Sequence, residues 1–245
     1  MESRNFQLDT EWNMIHYPEK PSGFGILIIG DDRHYVNENG SYWTQNEGKS
    51  AILNMLKDEG YIIFYSNLYR KNWGSEKAVK LARRLYEHII RTEIINPKIN
   101  LIAEGMGALI ALKLMDEMGP QLIRGCILIN PIFSLSDHLE LEKEHKFFYK
   151  NLLKELAEAY ELDMKYVENK IILKESFKNS LCIPTKIIHI MTDGRAYNQS
   201  KQVKTQAEKW KETGSPISIC FLLPEKRMGM GTQIINFMKK NEGIL

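Results

Sequence analysis

NLIAEGMGALIAL, Asn100 to Leu112, is the stretch that decides the fold. Its first half is a short apolar run of the kind a strand buried on both faces requires. Its second half opens a pattern, Met106 to Met118, with apolar residues at helical spacing. Only a sharp turn about Gly105 joins the two. Ala103 and Gly107, two residues to either side, are small enough for the strand and helix to leave that turn without colliding. Similar apolar runs recur along the chain as GFGILIIG, YIIFYS, INLIAE, GCILINP, TKIIHIM and ISICFLL. Between them Glu47 to Asp58, Glu76 to Arg91, Gln199 to Glu212 and Thr232 to Lys240 carry helical periodicity. Strands alternating with single helices imply an α/β fold, a mainly parallel sheet flanked by helices, and such sheets place ligand chemistry at the carboxyl ends of their strands.

Two segments depart from this rhythm. Phe6 to Trp12 and Met14 to Tyr17 suggest an opening hairpin. Leu135 to Ser180 separates two strands by more than one crossover helix needs. It reads as a helical lid or cap insertion (135–180) within a single domain spanning 1–245. Its stripe of Phe147, Phe148, Leu152, Leu153, Leu156 and Tyr160 is expected to face the body of the protein, whether as a moving lid or as a plain packing helix.

The bulk properties exclude several classes. With 43% hydrophobic residues in 245, a sizeable core can form. Lys and Arg total 33 against 31 Asp and Glu, a formal charge of +2 that gives no reason to expect nucleic acid or an anionic membrane. The odd set Cys126, Cys182 and Cys220 lies in apolar runs and suits a reducing, cytoplasmic setting. MESRNFQLDTEWNMIHYPEK has no apolar signal core, and no run approaches the ~18 residues of a membrane span. Neither a metal-ligand spacing nor a cofactor motif occurs, so no metal and no cofactor is expected.

From Gly23 to about Lys240 the chain resembles the α/β-hydrolase superfamily of esterases and lipases. LIAEGMGALIAL resembles its nucleophile elbow, GxSxG, as Ala103-Glu104-Gly105-Met106-Gly107. Glu104 stands where Gly-Glu-Ser elbows also carry Glu, but Gly105 takes the place of the serine. GFGILIIGDD resembles the strand and loop that usually end in His-Gly, with Ile29-Gly30 in that place. YIIFYSNLYRKNWGS keeps only Trp73-Gly74-Ser75 of the usual Asp-x-x-Gly-x-Gly-x-Ser. IIHIMTDGRAYNQS resembles the strand and turn that supply the acid, which puts Asp193 in that role. FLLPEKRMGMGTQIINFMKK resembles the closing strand, loop and helix, and the catalytic histidine position falls on Met228. No histidine follows His189.

The resemblance therefore implies a triad reduced to its acid. The attacking hydroxyl and the imidazole that moves its proton are both missing, and Asp193 has nothing to orient. The oxyanion hole would survive, because its donors are backbone amides, expected at Met106 and Asp31. Gly30 and Glu104 border the same mouth. Asp31, Asp32, Glu104 and Asp193 would favour a cation there unless Arg33, Arg195 or Arg227 neutralises them. Ser66, Ser75 or Ser134 with His34 would form a rearranged site only if they met at hydrogen-bond distance. His189, inside a strand, reads as a core histidine, and His138 and His145 as exposed in the insertion. The expected function is that of a non-catalytic or very weakly active hydrolase-fold protein, binding a small apolar or acyl-like ligand or a protein partner. The alternative is a carboxylesterase or thioesterase with a non-standard nucleophile and base. A purely structural partner subunit is the third reading. Ligand identity and oligomeric state are not written in the sequence.

Overall fold

The computed structural model describes residues 2–174, 180–191 and 195–243. The chain opens with the hairpin β1 (Ser3–Leu8) and β2 (Glu11–His16), then β3 (Gly25–Ile29) and a small ribbon, β4 (Val36–Asn37) with β5 (Gly40–Ser41). Helices α1 (Tyr42–Gln45) and α2 (Glu47–Asp58) lead to β6 (Ile62–Ser66), and α3 (Glu76–Thr92) leads to β7 (Ile99–Glu104). Next come α4 (Gly107–Leu122), β8 (Ile123–Ile129), and the inserted helices α5 (Leu135–Glu142), α6 (Lys146–Tyr160) and α7 (Val167–Lys174). The chain ends with β9 (Thr185–Ile190), α8 (Arg195–Glu212), β10 (Ile217–Leu222) and α9 (Met230–Asn241).

Eight strands form one sheet in the order β1-β2-β6-β3-β7-β8-β9-β10. Only β2 runs against the rest. β3 and β6 are buried at every position, as their unbroken apolar runs require. The period-two alternation of β3 divides the core. Leu27 and Ile29 face the side covered by α3, α4 and α8, while Ile26 and Ile28 face α2 and α9. The connection after β3 goes to β6 on one side, and the connection after β6 returns to β7 on the other. The order of the strands thus reverses between β3 and β7, and a crevice opens outside their carboxyl ends.

The helices expected at Glu47 to Asp58 and Glu76 to Arg91 form with at most one residue of difference. The helix expected over Met106 to Met118 begins at Gly107 and breaks at Gly119 (φ +67). Pro120 follows, and proline has no N–H to donate and disfavours helical geometry in the residue before it. The opening hairpin forms, but Asp9 (φ +56) and Thr10 make its turn, so the strands end earlier than their mixed polarity suggested. In the insertion Leu152 and Leu156 pack with Trp73, Met106, Leu109 and Val167 in a third apolar cluster. Phe147 and Phe148 depart from the expected stripe and stand 77% and 49% exposed. They lie in the first turn of α6, ahead of the surface the rest of that helix covers.

Candidate functional site

At the point of strand reversal β7 passes into α4 through Gly105, whose φ of +53 lies in the left-handed region that glycine adopts without strain. A side chain at Gly107 would meet the carbonyl oxygens of Ile29 at 2.6 Å and Gly30 at 2.8 Å. The helix can therefore start this close to the end of β3 only with glycine there. Gly30 is required for a related reason, since the His34 ring folds back over it and a Cβ would lie 2.2 Å from its Cγ.

The Met106 amide, expected as an open donor, is already engaged. It donates to Oδ1 of Asp31 at 3.0 Å, and the Asp31 side chain caps the first turn of α4. The same carboxylate fills the space beside Gly105, where a built Cβ would fall 2.1 Å from Asp31 Cγ. Asp31 thus enters the site through its side chain rather than through the backbone amide expected there. Burial pushes the carboxyl up to about 6; the Met106 hydrogen bond opposes this, and the Glu104 and Asp32 carboxylates add to it.

Glu104 is neutralised by a residue outside the expected set. Lys49 of α2 places its ammonium 2.5 Å from Glu104 Oε1, with side-chain exposures of 11% and 18%, and also lies over the Trp43 ring. Arg227 does not pair with Asp31 among the described residues, yet both line a cavity of about 260 Å³ with Gly105, Asn130, Ile132, His189, Ile190 and Gln199. Met228, the expected histidine position, points to solvent at 84% exposure. Both residues lie in the 3-10 helix Pro224–Gly229, where one residue of offset turns a side chain by about 120°. Asp193 lies outside the described residues.

The floor of the cavity is a fixed polar lattice. Asn130 (φ +44) donates its N–H to Ile188 O at 2.9 Å and accepts the Ile190 N–H on Oδ1 at 2.8 Å. Gln199 donates from Nε2 to the carbonyls of Asn130 and Pro131 at 3.0 and 3.1 Å. His189 is buried within β9, as expected of a core histidine, but it also borders the cavity and holds Ser200 Oγ at 2.7 Å from Nε2. Sequence reasoning missed Asn130 and Gln199; the one available signal was the position of Asn130 directly after a strand.

The rearranged Ser/His site does not assemble. His34 donates from Nε2 to the Ser66 carbonyl at 3.0 Å, while the Ser66 hydroxyl accepts the Leu68 N–H. Burial holds the His34 imidazole down to about 4. Ser75 is buried, and Ser134 accepts the Asp137 N–H as the cap of α5. His145 is exposed, whereas His138 stacks on Trp73 with ring centroids 5.4 Å apart. Among the described residues, no group of three or more His, Cys, Asp or Glu is placed to hold a metal, and no helix is long and apolar enough to cross a membrane.

The raised Asp31 carboxyl carries a stability prediction. A group whose folded value, about 6, exceeds its ordinary 3.8 binds its proton more tightly in the folded state. Its contribution is complete below about 3.8 and is lost as the pH rises through 6. His16 and His34, both lowered to about 4 by burial, act in the opposite sense across the same window. Only a comparison of variants therefore isolates Asp31. Asp31→Asn keeps an acceptor for Met106 without the charge, and is expected to gain about 1–3 kcal/mol over the parent at pH 8 relative to pH 4. Urea denaturation at both pH values measures this, and parallel shifts at the two would refute it.

The sheet order, the crevice at its reversal and the strand-turn-helix at Gly105 define the class: the chain has the α/β-hydrolase fold. It is similar in structure to the Pyrococcus horikoshii acylaminoacyl peptidase (TM-score 0.65, 16% identity), covering 100% of this chain and 43% of the peptidase, so it spans less than half of that protein. It is also similar to Est1E from Butyrivibrio proteoclasticus (TM-score 0.68, 13% identity; 98% and 99% of the two chains). An arylesterase gives a TM-score of 0.66 at 14% identity, over 99% of this chain and 85% of its own. No protein-family model and no curated protein matches the chain.

Proposed function

We propose that the protein is a non-catalytic or very weakly active member of this fold that binds a small molecule in the cavity at the strand reversal. The observation that carries this reading is the Asp31 carboxylate, which fills the space beside Gly105 and accepts the Met106 N–H. On this reading Gly105 stands at the nucleophile position without a nucleophile, Met228 at the base position without a base, and Asp193 keeps the acid position. Met106 and Asp31 mark the oxyanion hole, with the anion supplied by the protein itself. A carboxylate there repels a developing oxyanion, so the residual ~10³–10⁴ advantage over water that a hole alone can lend is lost too.

Hydrolysis of p-nitrophenyl acetate and butyrate tests the reading directly. Wild type is expected to match the buffer rate and to resist labelling by serine-directed phosphonates. A second reading, a hydrolase with a displaced nucleophile, is favoured by one observation: Ser200 Oγ lies 2.7 Å from Nε2 of a histidine that borders the cavity. Turnover in wild type that Ser200→Ala abolishes would establish that reading and end the first.

A further inference from the structure

We infer that the cavity binds a small aliphatic amino acid, with the ligand ammonium on Asp31, its carboxylate on Arg227, and its side chain against Ile132 and Ile190. The inference rests on the reading of this cavity as a ligand pocket and names what fills it. The cavity, about 260 Å³, is just below the range typical of drug-sized ligands and so suits a small metabolite. Its polar lining divides into groups already committed and groups still available to a ligand. The Asn130 amide oxygen is held by Ile190, and the Gln199 amide nitrogen by two carbonyls. Asp31, though it already accepts the Met106 N–H, and Arg227 are of opposite charge, and no ion pair joins them among the described residues although they border one space. A molecule with a positive and a negative end satisfies both at once, whereas a purely anionic ligand would meet Asp31 and a purely cationic one Arg227.

The two charges also fix the direction of binding. Asp31 is half-buried at the start of α4, so the ammonium enters first; Arg227 is exposed in the 3-10 helix at the rim, so the carboxylate remains at the mouth. Ile190 is buried and Ile132 half-buried, and together they offer a branched aliphatic chain the only large apolar surface among the lining residues. Unlike an ester, such a ligand contains no bond that calls for a nucleophile at Gly105.

The test uses three probes of nearly one shape: L-leucine, 3-methylbutylamine (which lacks the carboxylate) and 4-methylpentanoate (which lacks the ammonium). Isothermal titration on the full chain is expected to give L-leucine at least about tenfold tighter binding than either analogue. Arg227→Gln, at an exposed position where folding is not at stake, should erase the advantage over the amine. Asp31→Asn should erase the advantage over the acid. L-leucine binding no tighter than both analogues, or giving no heat at about 10 mM, overturns the inference. Ester hydrolysis assayed on the same wild-type sample keeps the two readings apart: turnover defeats the non-catalytic reading alone, and silence without zwitterion selectivity defeats this inference alone.

Discussion

Gly105→Ser is expected to destabilise the protein by about 2–4 kcal/mol, and by only about 1 kcal/mol when Asp31 is already alanine. The cost has two separable parts. A side chain at φ +53 sits in a region that costs a non-glycine residue about 1 kcal/mol or more. The second part is displacement, because a Cβ 2.1 Å from Asp31 Cγ forces that carboxylate away and leaves the Met106 N–H without its acceptor. An orphaned amide at a helix start costs about 1–3 kcal/mol. In the Asp31→Ala background the amide is already orphaned, so only backbone strain remains. A double-mutant cycle by chemical denaturation is therefore expected to show strong non-additivity; additive costs would mean that Asp31 does not occupy the space a side chain at 105 needs. On the non-catalytic reading proposed above, gaining hydrolysis would take three changes: a serine at 105, removal of the Asp31 carboxylate, and a base. Arg227 rather than Met228 is the position from which a histidine would face the cavity.

Lys49→Met is the second large effect, an expected loss of about 2–4 kcal/mol. The Lys49–Glu104 pair is shielded from solvent, so losing the ammonium leaves Glu104 uncompensated at the end of β7, beside Asp31. The methionine keeps much of the contact with Trp43, which separates loss of charge from loss of packing. The double variant Lys49→Met, Glu104→Gln removes both charges and is expected to recover most of the loss. A single-variant cost below about 0.5 kcal/mol would place the pair among surface ion pairs of little consequence.

Local sequence specifies the fold further than it specifies the site. The strands of the central sheet and most of the helices follow from local pattern, because an apolar run buried on both faces and a stripe at helical spacing are each written in neighbouring residues. Boundaries failed where pattern was mixed, as at the Asp9–Thr10 turn, or where a stripe ran past the surface it covers, as at Phe147 and Phe148. In the site, the glycine at 105 and the lack of any histidine after His189 are matters of residue identity alone. The position of Asp193 in space lies outside the described residues.

Residue order alone specifies an α/β sheet with its crevice at the strand ends and a glycine at the turn from β7 into α4. Local chemistry suffices for that, since periodicity sets secondary structure and glycine has no side chain to react. Tertiary structure decided what occupies the elbow. Asp31 reaches Met106 across 75 residues and Lys49 reaches Glu104 across 55, contacts that exist only because β3, β7 and α2 converge at the strand reversal. A hydrogen bond or an ion pair depends on distances of a few ångströms, and the pattern of residues along the chain does not encode distances between elements that meet only after folding.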